Sequence, residues 1–239
     1  MSANQQLIAS YGAAAAPPSE VTREVTDNFT VSATSNFTET GAALGSAAAD
    51  RLVFVCASGY NAMSLDGFDS VTIAGVSATQ ASSVARTSDL GFHFSEIWWA
   101  AVPSGATGNI DFVFTGDDII ASAVVYKVRG ADTTTPIASQ NTGSVASGNV
   151  TAALTISNET ACLATACCGI NGGDADITWT NITEDLDLGI DFGGGIFVNN
   201  GFASRADTVG PGATTFTAAA TSSVDANKTM AAVEIAPAP

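Results

Sequence analysis

The side chains best suited to bond-making chemistry or metal binding are one imidazole, four thiols and 23 carboxylates. The imidazole is His93, set in Gly91-Phe92-His93-Phe94. Serine hydrolysis needs a nucleophile, a base and an orienting acid, and no Gly-x-Ser-x-Gly elbow accompanies this histidine. It reads as a strand residue among aromatics. Paired carboxylates could serve glycoside hydrolysis, where two acids lie ~5–10 Å apart across a sugar. The candidates are Asp117 with Asp118, Asp174 with Asp176, and Glu184 with Asp185 and Asp187. All stand in turn-like contexts, and acids this abundant cluster by chance. Asn171-Gly172-Gly173-Asp174-Ala175-Asp176 resembles a calcium loop, with Asp174 and Asp176 as oxygen donors. It lacks the downstream bidentate Glu and flanking helices, so a plain turn is the stronger reading. Gly193-Gly194-Gly195 has no following Lys and is not a phosphate loop. No cofactor and no enzymatic reaction are expected.

The thiols are Cys56, Cys162, Cys167 and Cys168. A zinc site wants paired Cys-x-x-Cys spacing or added His ligands. Neighbours in a strand point to opposite faces, which disfavours a Cys167–Cys168 bridge. Buried free thiols are expected. Trp98 and Trp99 carry more information, because only one of two adjacent strand residues can enter a given core. The other ring would lie under a loop, in a subunit interface or on a sugar-stacking platform.

Seven Lys and Arg against 23 Asp and Glu give a net charge of -16. Such a polyanion repels phosphate backbones, which argues against nucleic-acid partners. Hydrophobic residues make up 46% and charged ones 13%, the profile of a folded chain rather than a disordered one. No stretch approaches the roughly 18 apolar residues of a membrane helix. Met1 to Ala16 has no basic n-region, so no secretory signal and no membrane partner are expected.

The elements that must position these groups are short and extended. Residues 1–22 read as an extended arm closed by Pro17 and Pro18, which cannot begin a central strand. Beyond it, Phe29, Val31 and Ala33 alternate with polar residues, while Leu52 to Cys56 is continuously apolar. Ile110, Phe112 and Phe114 share one face. Val150 to Ile156, Ala161 to Ile170, Ile177 to Ile182, Gly195 to Ala203, Thr214 to Ala220 and Thr229 to Ile235 continue the style. Period 2 and regular turn residues predict an all-β fold: a single antiparallel β-sandwich of roughly 12 strands over residues 23–239. No internal repeat is visible. The stretch from Ala131 to about Gly148 reads as a long crossing loop, with a split near residue 140 as the alternative.

Three segments carry a resemblance: Asp50 to Val55, Val71 to Thr79, and Ile97 to Gly105, with Thr229 to Pro237 as a closing strand. Together they resemble β-sandwich structural proteins of tailed bacteriophages. The resemblance implies a jelly-roll-like virion component of the head decoration or cement type on the outer capsid surface. Its implied partners are the major capsid protein and itself, as a homotrimer. Leu7, Ile8, Tyr11, Pro17 and Pro18 of the arm, with Trp98 and Trp99, are the expected interface residues. The other expectation is a glycan- or receptor-binding module of a tail fibre or head spike. Cys167-Cys168 and the acidic stretch Glu184 to Asp191 depart from the family pattern.

Overall fold

The computed structural model describes residues 21–33, 36–62, 67–88, 91–115, 119–156, 160–171, 176–193, 196–206, 212–220 and 227–239. Among them the chain is entirely extended, turn or irregular, and antiparallel throughout. The first half supplies β1 (Thr22–Ala33), β2 (Phe37–Ala43), β3 (Leu52–Asn61), β4 (Ser70–Ile73), β5 (Val76–Ser77), β6 (Thr79–Ser88), β7 (Gly91–Ala101), β8 (Thr107–Val113) and β9 (Ile119–Arg129). The second supplies β10 (Ile137–Val145), β11 (Val150–Ile156), β12 (Ala161–Asn171), β13 (Ile177–Thr180), β14 (Thr183–Gly193), β15 (Ile196–Ala206), β16 (Gly212–Ala220) and β17 (Asn227–Ile235).

These strands form four sheets, in the orders β1-β9-β3-β7-β6, β2-β8-β4-β5, β10-β17-β12-β15-β14 and β11-β16-β13. The halves share one plan. Replacing β1–β4 by β10–β13, and β6–β9 by β14–β17, converts each sheet of the first half into its counterpart, except that the short β5 has no equivalent among the described residues. Early and late strands interleave as nested Greek keys require. The repeat lies in topology without a visible repeat in residue types, because a core accepts many apolar combinations of similar volume.

Each half is a sandwich, and the two stack back to back through their five-stranded sheets. Val53, Val55 and Ala57 of β3 face the β2-β8-β4-β5 sheet, with Ile110 and Phe112 opposite. Their neighbours Leu52, Phe54 and Cys56 face the other way, toward Leu163, Phe202, Val233 and Ile235. Cys162, Ala164 and Ala166 of β12 then face Val150, Ala152 and Leu154. The result is four layers, where one sandwich of roughly 12 strands was expected; the described residues contain 17 strands. The continuous apolar runs explain it. A strand buried on both faces has no polar side to alternate with, and every residue of β3 is buried.

The stacking has internal symmetry. Strand β6 lies on β10 and β17, β7 on β17 and β12, β3 on β12 and β15, and β9 on β15 and β14. Thus β6 on β17 is matched by β9 on β14, β7 on β17 by β9 on β15 and β7 on β12 by β3 on β15, an approximate twofold relation about β3 and β12 in which β6 on β10 has no mate among the described residues.

Among the described residues Ala131–Pro136 is the connection between the sandwiches; the residues after it, expected as loop, pair with β17 as β10. Asp132 shapes the crossing by accepting bonds from the Thr134 and Thr135 amides and the Thr135 hydroxyl. Those bonds, the Thr134 amide foremost, hold its carboxyl below the usual range. The C-terminal residues brace it through Asp132 N to Ala236 O and Ala238 N to Gly130 O. Between Ile73 and Val76 the chain makes a tight hairpin with positive φ at Ala74 (51°) and Gly75 (80°), the combination of a type I′ turn.

Candidate functional site

The tryptophan pair resolves as strand geometry requires. Trp98 enters the first sandwich's core. Its indole Nε1 donates to Glu96 Oε2 at 2.9 Å. Glu96, two residues earlier on the same face, is 2% exposed and also accepts from Phe68 N and Ser83 Oγ. Burial raises its carboxyl to about 7, against the pull of those hydrogen bonds. Phe68, Asp69, Gln80, Ser83, Glu96 and Trp98 line a small cavity of ≈ 260 Å³. Nothing in the spacing of Glu96 marked it, since beside Trp98 of its own strand its partners come from Phe68 and Ser83, distant in sequence.

Trp99 points the opposite way and stacks on Phe54, centroids 6.4 Å apart and planes inclined by 29°. It is partly buried against the core between the two sandwiches. Its outer side opens into a groove of ≈ 460 Å³ bounded by Thr79, Gln80 and Ala81 on one wall and residues 134–140 on the other. The end of the segment that crosses between the sandwiches, residues 134–136, stands beside the ring. The groove exists only because the halves stack, so local sequence gave no sign of it.

The tertiary fold also joins two groups that spacing left apart. Cys167 Sγ lies 3.9 Å from His93 Nδ1, across the junction of the sandwiches. The pair is not arranged as an exposed nucleophile and base. The thiol donates to Gly59 O at 3.1 Å, and His93 is 1% exposed. Burial lowers His93 to about 4, so the imidazole is neutral at neutral pH and offers no cation to stabilise a thiolate. Cys56 and Cys162 are likewise buried thiols outside any disulfide, as expected.

The acidic stretch of β14 acts through hydrogen bonds. Asp185 Oδ2 accepts from Tyr126 OH at 2.9 Å and from Ser204 Oγ, joining the two five-stranded sheets. Asp187 Oδ2 accepts from Ile177 N at 2.7 Å, tying β13 to β14. Asp176 is exposed just before β13, while Asp174 lies outside the described residues. Leu7, Ile8, Tyr11, Pro17 and Pro18 also lie outside them, as do Asp117 and Asp118. Among the described residues no three His, Cys, Asp or Glu side chains gather as a metal site.

Glu96 and His93 make opposite demands on pH. Glu96 binds its proton more tightly when folded, so its contribution is full below about 4.5 and is lost as pH rises toward 7. His93 binds its proton more weakly when folded, so its contribution is present above 6.5 and lost as pH falls toward 4. Each amounts to about 3 kcal/mol over its window, and between the two they nearly cancel. We expect Glu96→Gln to make stability climb between pH 4 and 6.5, and His93→Gln to make it decline between pH 4.5 and 7. Urea melts across that range test this; three parallel profiles would refute it.

No protein family, curated protein or solved structure matches the chain.

Proposed function

We propose that this chain is a structural virion component of a tailed phage, a decoration or cement protein that bridges neighbouring capsomers on the outer capsid surface. The assignment to a phage head rests on the resemblance of three segments. The bridging role rests on one observation: the block ends in two outward sheets whose exposed side chains include several short ones. On one, Thr107, Asn109 and Val113 of β8 are exposed beside Ser70 of β4. On the other, Thr151 and Ala153 of β11 are exposed, as are Thr178 and Thr180 of β13 on the far side of β16.

Packed sheets lie about 10 Å apart, so four layers set these faces roughly 30 Å from each other. Short side chains lose little rotamer entropy when a neighbour fixes them. A stable interface buries about 1,200–2,000 Å² in total, and two opposed faces allow two such contacts. Load is then carried through three continuous cores. The acidic surface keeps the protein off the genome, and the major capsid protein and further copies of the chain, as a trimer, are the partners.

Electron cryomicroscopy of particles carrying the tagged subunit tests the location. The subunit is expected on the shell at near-stoichiometric copy; its presence solely at the tail tip, or its absence from particles, rejects the role. Thr151→Arg tests the face: particle incorporation falls while the melting temperature stays unchanged.

A further inference from the structure

We propose that the groove beside Trp99 is a binding site for a neutral saccharide. The inference stands apart from the capsid role, since it uses only the geometry where the two sandwiches meet. Trp99 supplies a flat aromatic surface whose plane is fixed from behind by Phe54. A pyranose presents a face of C–H groups that such a ring can cover, removing apolar area from water on both sides.

Around the ring stand Gln80, Thr134, Thr135, Ser139 and Gln140. Amides and hydroxyls both donate and accept, which is what sugar hydroxyls require. None of the groove's lining residues is ionisable. Beneath Ser139, Glu234 Oε2 accepts the serine hydroxyl at 2.8 Å. A sialylated or sulfated ligand would therefore find a carboxylate nearby and no cation in the lining, which selects for a neutral sugar.

The walls are fixed before any ligand arrives. Asp132 holds the Thr134 and Thr135 amides. Pro136 is buried, and Ile137 packs against the core between the sandwiches. A preformed site spends little binding energy on ordering itself. A volume of ≈ 460 Å³ suits one or two hexose units.

The test follows the three indole N–H resonances of the ¹⁵N-labelled protein during titration. The probes are methyl glucoside, methyl mannoside, methyl galactoside, cellobiose and maltose, with sialyllactose and a polyproline peptide beside them. Trp99→Phe identifies the Trp99 signal by its loss. The expected result is a saturable shift of the Trp99 resonance with at least one neutral sugar, at a dissociation constant on the order of 0.1–10 mM. Trp98, bonded to Glu96, and Trp179 stay still.

Gln140→Ala removes an exposed side chain and leaves the core intact, and it weakens binding at least tenfold. The proposal is overturned if no neutral sugar moves the Trp99 signal or if Gln140→Ala binds as well as the parent. A stronger response to sialyllactose or to the polyproline peptide overturns it too. None of these outcomes bears on whether the protein sits on a capsid.

Discussion

Arg51→Met is expected to lower stability by about 3–5 kcal/mol, the largest loss for any single side chain outside the apolar cores. Arg51 is completely buried. Its guanidinium donates to Val102 O at 2.6 Å, Gly45 O at 2.7 Å, Ser104 O at 2.7 Å and Leu44 O at 3.3 Å. These carbonyls belong to the segment after β2 and the segment after β7, so one planar cation ties two loops to the start of β3. Burial lowers its pKa, yet an arginine stays charged in any protein. Methionine fills most of the volume and leaves the two buried acceptors, Val102 O and Leu44 O, unpaired, and each orphan costs about 1–3 kcal/mol.

Arg51→Lys should recover only part of the loss, because a point-like ammonium cannot span carbonyls from two loops. Urea denaturation of the three proteins measures the series. A loss below about 1 kcal/mol for Arg51→Met would show that water replaces the guanidinium and that the clamp is not structural.

Leu163→Asp should cost at least about 4 kcal/mol and unfold both sandwiches together. Leu163 has no exposed surface and sits in the cluster holding Phe54 and Tyr126 from the first half and Phe202 and Val233 from the second. A carboxylate there must lose its hydration or capture a proton, and both are costly. If the shared core unites the halves, Trp98 and Trp99 report loss of structure at the same urea concentration as Trp179. Thr151→Asp, on an outward face, should change stability by less than about 0.5 kcal/mol. A first half that keeps its own transition while the second melts would refute a single cooperative unit.

Much of the strand content was legible. Leu52 to Cys56, Ile97 to Val102 and Thr229 to Ile235 were apolar enough to demand a core, and Pro103 stops β7 close to where it should. The alternation in β8 and β11 told which face is wet. The stretch after Pro136 failed as a reading because Ser, Gln, Asn and Thr look like loop; β10 is an edge strand whose polar residues face solvent. Of the candidate site residues, the sequence could say that Trp98 and Trp99 diverge. It could not say what each meets, nor that Cys167 would reach His93 from 74 positions away.

The division has a physical cause. Period, propensity and turn chemistry act over a few residues, so residue order alone determined an all-β, antiparallel, acidic chain with buried thiols. A continuously apolar strand announces that both its faces are covered, but hydrophobic burial has no direction and does not name the cover. Whether β3 meets a neighbouring subunit, a loop or the other half of its own chain is settled only when the sheets choose partners. That choice turned one expected sandwich into two, and made the junction that shapes the groove at Trp99.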